Sequence, residues 1–355
     1  EYTSIGSIAT FTSGKGINVN TLSQESANAP VPVFGGNGIA GYTVKPLVHQ
    51  QTIVVGRVGQ KCGEVYLTQG SAWITDNALY PIKINRPVYI PFLAYAMKAA
   101  GLNDVKNRND LPLVTRPILH SVPISIPKTL HEQRAIAAAL SDVDALLASL
   151  DALIEKKRAI KQGVMQELLT GRRRLPGFSG EWENKELKSI FRYEQPGKYI
   201  VNSTDYVLKG DIPVLTAGKT YILGFTNETS GVFEDYPVII FDDFTLASRY
   251  VDFPFKVKSS AIKLLRTRDD TNDLRFLFGK MQLINYPVGE HKRYYLSEYQ
   301  HITIAIPEIE EQKAIINILN DMDAEIYALE QQRDKMYLIK QGMMQELLTG
   351  RTRLL

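Results

Sequence analysis

From residue 131 to about residue 170 the apolar positions recur with a period near three and a half. Counted from Ile136, one seam runs Ile136, Val143, Leu150, Lys157 and Val164. The other runs Leu140, Leu147, Ile154, Lys161 and Leu168. Eight of these ten positions are apolar over five heptads, a pattern that predicts a coiled-coil helix rather than a short surface helix. A shift of 179 residues reproduces it as Ile315, Met322, Leu329, Met336, Met343 and Leu319, Ile326, Arg333, Lys340, Leu347, again with eight apolar positions. Each helix of about 38 residues would be roughly 57 Å long. Gly171 and Gly350 stand where C-terminal caps belong.

Outside these segments the period falls to two. Short β-rich runs at 52–55, 65–68 and 121–126 alternate with Gly- and Asn-rich loops, and a helix is expected at 91–100, with Pro91 in its first turn and Gly101 beyond its end. The second half repeats this outline. Residues 212–215 answer 31–34, 237–241 answer 52–55, a helix is expected at 272–285, and 302–307 answer 122–127. The expected organisation is a globular domain at 1–130, a helical spacer at 131–171, a linker at 172–180, a second domain at 181–307, a second spacer at 308–350 and a tail at 351–355. The linker of nine residues reaches no more than about 30 Å. The second helix must therefore run back along the first for the seams to bury each other, giving two antiparallel helices, pseudo-two-fold symmetry and an α+β fold.

The helices match almost letter for letter, while the globular parts match in pattern only. IKQGVMQELLTGR at 160–172 returns as IKQGMMQELLTGR at 339–351, the one difference being Val164 against Met343. Each spacer opens on Glu-Gln-basic-Ala-Ile, at Glu132 and at Glu311. A period of half the chain means two similar units, not a solenoid. The contrast implies that the helices bind something constant and that each globular unit reads something different.

Composition narrows the partners. The chain has 355 residues, 44% hydrophobic and 22% charged, enough for two or three cores and against disorder. No apolar run approaches the roughly 18 residues of a membrane span, and the first residues form no signal peptide. Cys62 is the sole cysteine, which excludes an intrachain disulfide and a cysteine zinc site and suits a cytoplasmic location. The net charge of +3 does not fix the partner. By segment, residues 1–130 carry eleven Lys and Arg against six Asp and Glu, whereas 175–307 carry sixteen against seventeen. Nucleic-acid binding by the second unit would need a local basic patch.

The arrangement resembles the DNA-specificity subunit of Type I restriction-modification systems, over essentially the whole chain. The tokens that carry the likeness are the doubled Glu-Gln-basic-Ala-Ile after a strand ending in Pro and the doubled helix end. The resemblance implies two target-recognition domains, each reading one half of a bipartite double-stranded DNA site. It also implies spacers that fix the separation and dock two copies of a methyltransferase subunit, with a motor-nuclease subunit as a further partner. S-adenosylmethionine, ATP and Mg²⁺ would serve those partners, and no cofactor is expected on this chain. One departure is that the first unit begins without the lead that Gly180-Glu181-Trp182 gives the second, so a trimmed N-terminus is expected.

The residues themselves are consistent with a reader that catalyses nothing. No Asn/Asp-Pro-Pro-aromatic loop is present to hold a target amine. The Walker-like string at 213–220 has Pro213 where a phosphate loop needs glycine. Asp242 and Asp243 lack a Glu-x-Lys partner and read as a turn, and the five histidines show no ligand spacing. Candidate DNA contacts are basic and amide residues in loops beside strands. They are Lys15, Asn18, Asn37, Arg57, Lys61, Lys106, Asn107 and Arg108 in unit 1, and Thr216, Lys219, Thr220, Tyr221, Arg249, Lys256, Lys258, His291, Lys292 and Arg293 in unit 2. Non-seam residues that are identical in both helices, Gln162, Gln166 and Glu167 matching Gln341, Gln345 and Glu346, are candidates for partner docking, with recent duplication as the competing explanation. Two other functions remain open on these grounds: a coiled-coil scaffold joining two protein-binding domains, and a nuclease acting alone.

Overall fold

A computed structural model describes residues 1–104, 112–218, 220–287 and 293–354. The chain divides into two units, Glu1–Ala152 with Glu330–Leu355, and Leu153–Leu329. The fold is α+β. Both units draw on the same two long helices, Leu130–Leu169 and Ile309–Thr349.

In unit 1 a four-stranded antiparallel sheet takes the order Ala9–Ser13, Ala78–Ile84, Ile53–Gly56, Val65–Leu67. A three-stranded sheet sets Gly38–Thr43 antiparallel and Trp73–Ile74 parallel to Val31–Gly35. A third pairing joins Tyr2–Ser4 to Pro123–Ser125, the strand that leads into the first long helix. Unit 2 repeats every step. Its four-stranded sheet runs Phe191–Glu194, Ile262–Thr267, Val238–Asp242, Ser248–Val251, its three-stranded sheet centres on Ile212–Leu215, and Glu183–Glu186 pairs with Thr303–Ile306. The register shift at Val33/Phe34 recurs at Val214/Leu215. The two domains therefore share a topology down to an irregularity, although their sequences match only in pattern.

The expected helices at 91–100 and 272–285 form at Ile90–Ala99 and Leu274–Gln282. The run 121–126 is only partly strand. A short helix, Arg116–Ser121, forms first, because Thr115 accepts the Ile118 N–H at 3.4 Å and Pro117 suits a first turn. Alternation of apolar residues did not show this cap.

Every seam position of the heptads is buried or half-buried. The positions that break the apolar pattern are the ones that make ion pairs. In unit 1, Asp144 holds Lys340 at 2.5 Å and Asp151 lies 3.7 Å from Arg333. In unit 2, Glu325 holds Lys157 at 2.6 Å and Asp323 holds Lys161. In both units rising numbers on one helix meet falling numbers on the other, so the helices run antiparallel. Asp144–Lys340 and Lys161–Asp323 are the same pair displaced by 179, which makes them register keys, because a one-heptad slip would separate both pairs. Gly171 and Gly350 end the helices at φ of +72° and +75°, a conformation that favours glycine. There Arg173 N–H donates to Glu167 O and Thr352 N–H to Glu346 O, both at 3.2 Å.

Each core contains the ends of both helices. In unit 1, Ile136, Leu140, Leu347 and Leu348 pack with Phe92, Leu93, Met97 and Ile124. In unit 2, Leu168, Leu169, Ile315 and Leu319 pack with Phe276, Leu277, Met281 and Ile304.

Candidate nucleic-acid interface

The Glu-Gln signature is a clamp that fixes each domain to its helix. Gln312 is fully buried. Its Oε1 accepts the Asp273 N–H at 2.8 Å, and its Nε2 donates to Pro307 O at 2.9 Å. One side chain thus ties the start of the domain helix to the end of the closing strand. Gln133 does the same in unit 1, with Tyr89 N–H at 2.8 Å and Pro127 O at 3.0 Å. The neighbouring Glu311 takes Arg174 in two hydrogen bonds of 2.6 and 2.7 Å, and Trp182 Nε1 donates to it at 3.3 Å. Its counterpart Glu132 takes Arg353, and that guanidinium holds the Glu132 carboxyl below its usual range. Arg174 and Arg353 also lie 179 residues apart, so the repeat extends to the basic half of the clamp, which the candidate site residues did not include.

On that frame unit 1 brings four loops together. A Cβ on Gly56 would meet Gly36 O at 2.4 Å and Lys61 O at 2.9 Å, and one on Gly14 would meet Ile74 O at 2.1 Å. Only glycine permits such approaches. They gather Lys15, Asn37, Arg57 and Lys61 at one end of the sheets. Arg57 Nη1 donates to Ser13 Oγ and to Asp76 O, both at 3.3 Å, so its guanidinium spans two of these loops. Lys15, Asn37 and Lys61 are exposed. Asn18 is also exposed, but its Oδ1 caps the turn Val19–Thr21 by accepting the Asn20 N–H at 3.0 Å.

In unit 2, Thr216 Oγ1 donates to Thr220 O at 3.0 Å, the Arg249 guanidinium lies over the Tyr221 ring at 5.9 Å, and the exposed Lys258 donates its N–H to Leu215 O at 3.2 Å. Burial pushes the Tyr221 hydroxyl's pKa up, and its oxygen has no hydrogen-bond partner among the described residues. Arg293 lies over Phe244 at 5.7 Å, at a separate loop. Lys256 is different in kind. It is 1% exposed, ion-paired to Glu228 at 2.8 Å and bonded to Ser230 O at 2.7 Å. A charge so enclosed serves the fold and offers nothing to a phosphate. It follows a loop residue by sequence yet lies on a strand, Lys256–Val257, that faces the core. Lys106, Asn107, Arg108, Lys219, His291 and Lys292 lie outside the described residues.

Asp242 and Asp243 divide their labour. Asp242 Oδ1 accepts the Phe244 and Thr245 N–H groups at 2.9 Å, a turn. Asp243, buried, pairs with Lys263 at 3.2 Å and accepts the Tyr295 N–H at 2.8 Å. Among the described residues no group of three His, Cys, Asp or Glu could hold a metal ion, and no helix is long and apolar enough to cross a membrane. Of the candidate docking residues, Gln162, Gln166, Glu167, Gln341 and Gln345 are exposed and Glu346 is half-buried.

The family model described as Type I restriction modification DNA specificity domain matches residues 1–159 and again 179–336. The chain belongs to that family. The doubled match follows the doubled topology. The chain is 40% identical over 188 residues to the specificity subunit of the Type I restriction enzyme EcoR124I/EcoR124II of Escherichia coli, a match covering 49% of this chain and 46% of that subunit. It is 25% identical over 362 residues to the MjaVIII specificity subunit of Methanocaldococcus jannaschii, covering 89% and 84%. Among solved structures, the Type I restriction-modification S subunit of M. genitalium superimposes with a TM-score of 0.67 at 17% identity, over 98% of this chain and 96% of that one. That likeness concerns the fold.

Proposed function

We propose that the chain is a DNA-specificity subunit: each domain reads one half of a bipartite double-stranded DNA site, and the chain itself catalyses nothing. The carrying observation is the contrast between constant and variable parts. The Glu–Arg and Gln clamps are the same in both units, residue for residue, while the loops they support present Lys15, Asn37, Arg57 and Lys61 in one and Thr216, Thr220, Tyr221, Arg249 and Lys258 in the other. Arginine and asparagine at loop tips can read base edges, and lysine can hold phosphate. On this reading the continuous helices, of 40 and 41 residues, set the spacing between half-sites. The exposed, repeated Gln162, Gln166, Gln341 and Gln345 belong to the docking surfaces of two methyltransferase subunits. Those partners would use S-adenosylmethionine, and a motor-nuclease partner ATP and Mg²⁺.

The test is methylome sequencing of cells carrying this chain with its modification subunit. A split adenine-methylated motif supports the proposal, and a methylome with no such motif overturns it. Cleavage of plasmid by the pure chain with Mg²⁺ would instead favour a nuclease acting alone. DNA affinity without salt dependence would favour a protein scaffold, because phosphate contacts impose a steep salt slope.

A further inference from the structure

One strand end has the same backbone frame in both units and carries different side chains. In unit 1 the Arg57 N–H donates to Asn77 O, and Arg57 O accepts the Val114 N–H, both at 2.9 Å. In unit 2 the Asp243 N–H donates to Ala261 O, and Asp243 O accepts the Tyr294 N–H, both at 3.0 Å. Arg57 and Asp243 directly follow corresponding strands, Ile53–Gly56 and Val238–Asp242. The next residue along the chain, and the residue before the bonded partner, are therefore equivalent as well. They are Val58 and Leu113 in unit 1, and Phe244 and Arg293 in unit 2. Val58 lies among the loops that gather Arg57 and Lys61, since a Cβ on Gly36 would meet its carbonyl at 2.8 Å. The frame is constant while the side chains it presents change, as reading positions require.

Phe244 is 39% exposed, and a single exposed phenylalanine needs no function. What sets it apart is how it is held. Asp242 closes the turn beneath it through the Phe244 and Thr245 N–H groups, and the buried Asp243 locks the neighbouring segment through the Tyr294 and Tyr295 N–H groups. On the far side of the tip Leu246 takes φ of +59°, a conformation costly for leucine, with its side chain packed on the core. The Arg293 guanidinium then lies over the ring at 5.7 Å.

We propose that Phe244 reads the C5-methyl group of one thymine in the half-site of unit 2, with Arg293 as the residue that positions the ring. The inference deepens the reading of the chain as a double-stranded DNA reader and rests on it. The thymine methyl is the one apolar group that base edges present in the major groove. A cation beside the ring suits an occupant that is apolar at one point and anionic around it, which a thymine within DNA is and an apolar protein surface is not. A ring more than half covered has too little free area to separate two stacked bases, so its mode is contact rather than intercalation. Burying one methyl group is worth roughly fourfold in affinity.

The experiment measures the affinity of the intact chain with its modification subunit for the duplex motif that methylome sequencing defines, uracil replacing thymine one position at a time. At one thymine of one half-site the replacement is expected to cost the parent roughly fourfold. Phe244→Ala removes that cost and Phe244→Leu retains it, while thymines of the other half-site respond alike in all three proteins and so report that the variants are folded. No uracil-sensitive thymine in the parent, or none whose sensitivity Phe244→Ala removes, would overturn the proposal. A rise in 2-aminopurine fluorescence on binding that Phe244→Ala abolishes would overturn it too, by making the ring a wedge between bases. The DNA-reader reading fails separately, when methylome sequencing finds no bipartite motif.

Discussion

Replacing Gln312 with alanine isolates what the clamp contributes. The substitution leaves two buried backbone groups, the Asp273 N–H and the Pro307 C=O, without the partners they have at 2.8 and 2.9 Å. An unsatisfied buried donor or acceptor costs about 1–3 kcal/mol, so the pair sums to roughly 2–6 kcal/mol. The four-atom void can admit a water that restores part of one bond, which places the expected loss near 3 kcal/mol. For a unit of this size that corresponds to about 6–12 °C in unfolding temperature. Gln312→Glu sharpens the test. It keeps an acceptor for Asp273 but sets a buried carboxylate against Pro307 O, so its folded pKa rises. Stability tied to the neutral form is present below the unfolded carboxylate pKa and is lost as pH rises through the folded value. The glutamate variant should therefore lie nearer the parent at pH 4.5 than at pH 8. Calorimetry with hydrogen exchange at Asp273 reads both effects. A loss under about 0.5 kcal/mol for Gln312→Ala, or continued protection of the Asp273 amide, would refute the clamp.

Burial holds the Lys280 pKa down to about 8, well below the unfolded value. Its neutral form is thus favoured by folding, and unit 2 should gain about 1 kcal/mol between pH 8 and pH 9, a gain that Lys280→Met abolishes in thermal melts. Lys256→Ala should destabilise unit 2 yet leave the slope of log affinity against log salt unchanged, whereas Arg249→Ala should reduce that slope by about one. Residues 1–179 produced alone should form a dimer, because this half carries Glu132, Asp144, Lys161 and Arg174, both sides of each repeated ion pair. A monomer at micromolar concentration by analytical ultracentrifugation would contradict that.

The helices were legible in advance because a seven-residue repeat sustained over five heptads has few alternatives, and because the lysines that interrupt it lie where acidic residues meet them. The strands that pair Tyr2–Ser4 with Pro123–Ser125 and Glu183–Glu186 with Thr303–Ile306 were half visible, as only their second members alternate and end in proline. Arg116–Ser121 leaves no such trace, because a six-residue helix shows less than two turns of periodicity. The burial of Lys256 is not legible locally, because it depends on a partner 28 residues earlier, Glu228, which no local pattern reveals. The grouping of Lys15, Asn37, Arg57 and Lys61 depends on loop contacts between residues distant in sequence, and its only trace was the glycine at each close approach.

The clamps explain why near-identity and free divergence coexist in one chain. A coiled-coil seam constrains two positions in seven, and the register keys add Asp144, Lys161, Asp323 and Lys340. The clamps then add Glu132, Gln133, Arg174 and their copies, because each must satisfy a buried group whose loss costs as much as a core cavity. None of these residues lies in the loops that carry Arg57 or Arg249. A loop on such a frame can change sequence without altering the pairing that fixes it, since both ends of its domain, the closing strand and the domain helix, are held by the same glutamine. Two readers of different sequence can then sit on interchangeable mounts.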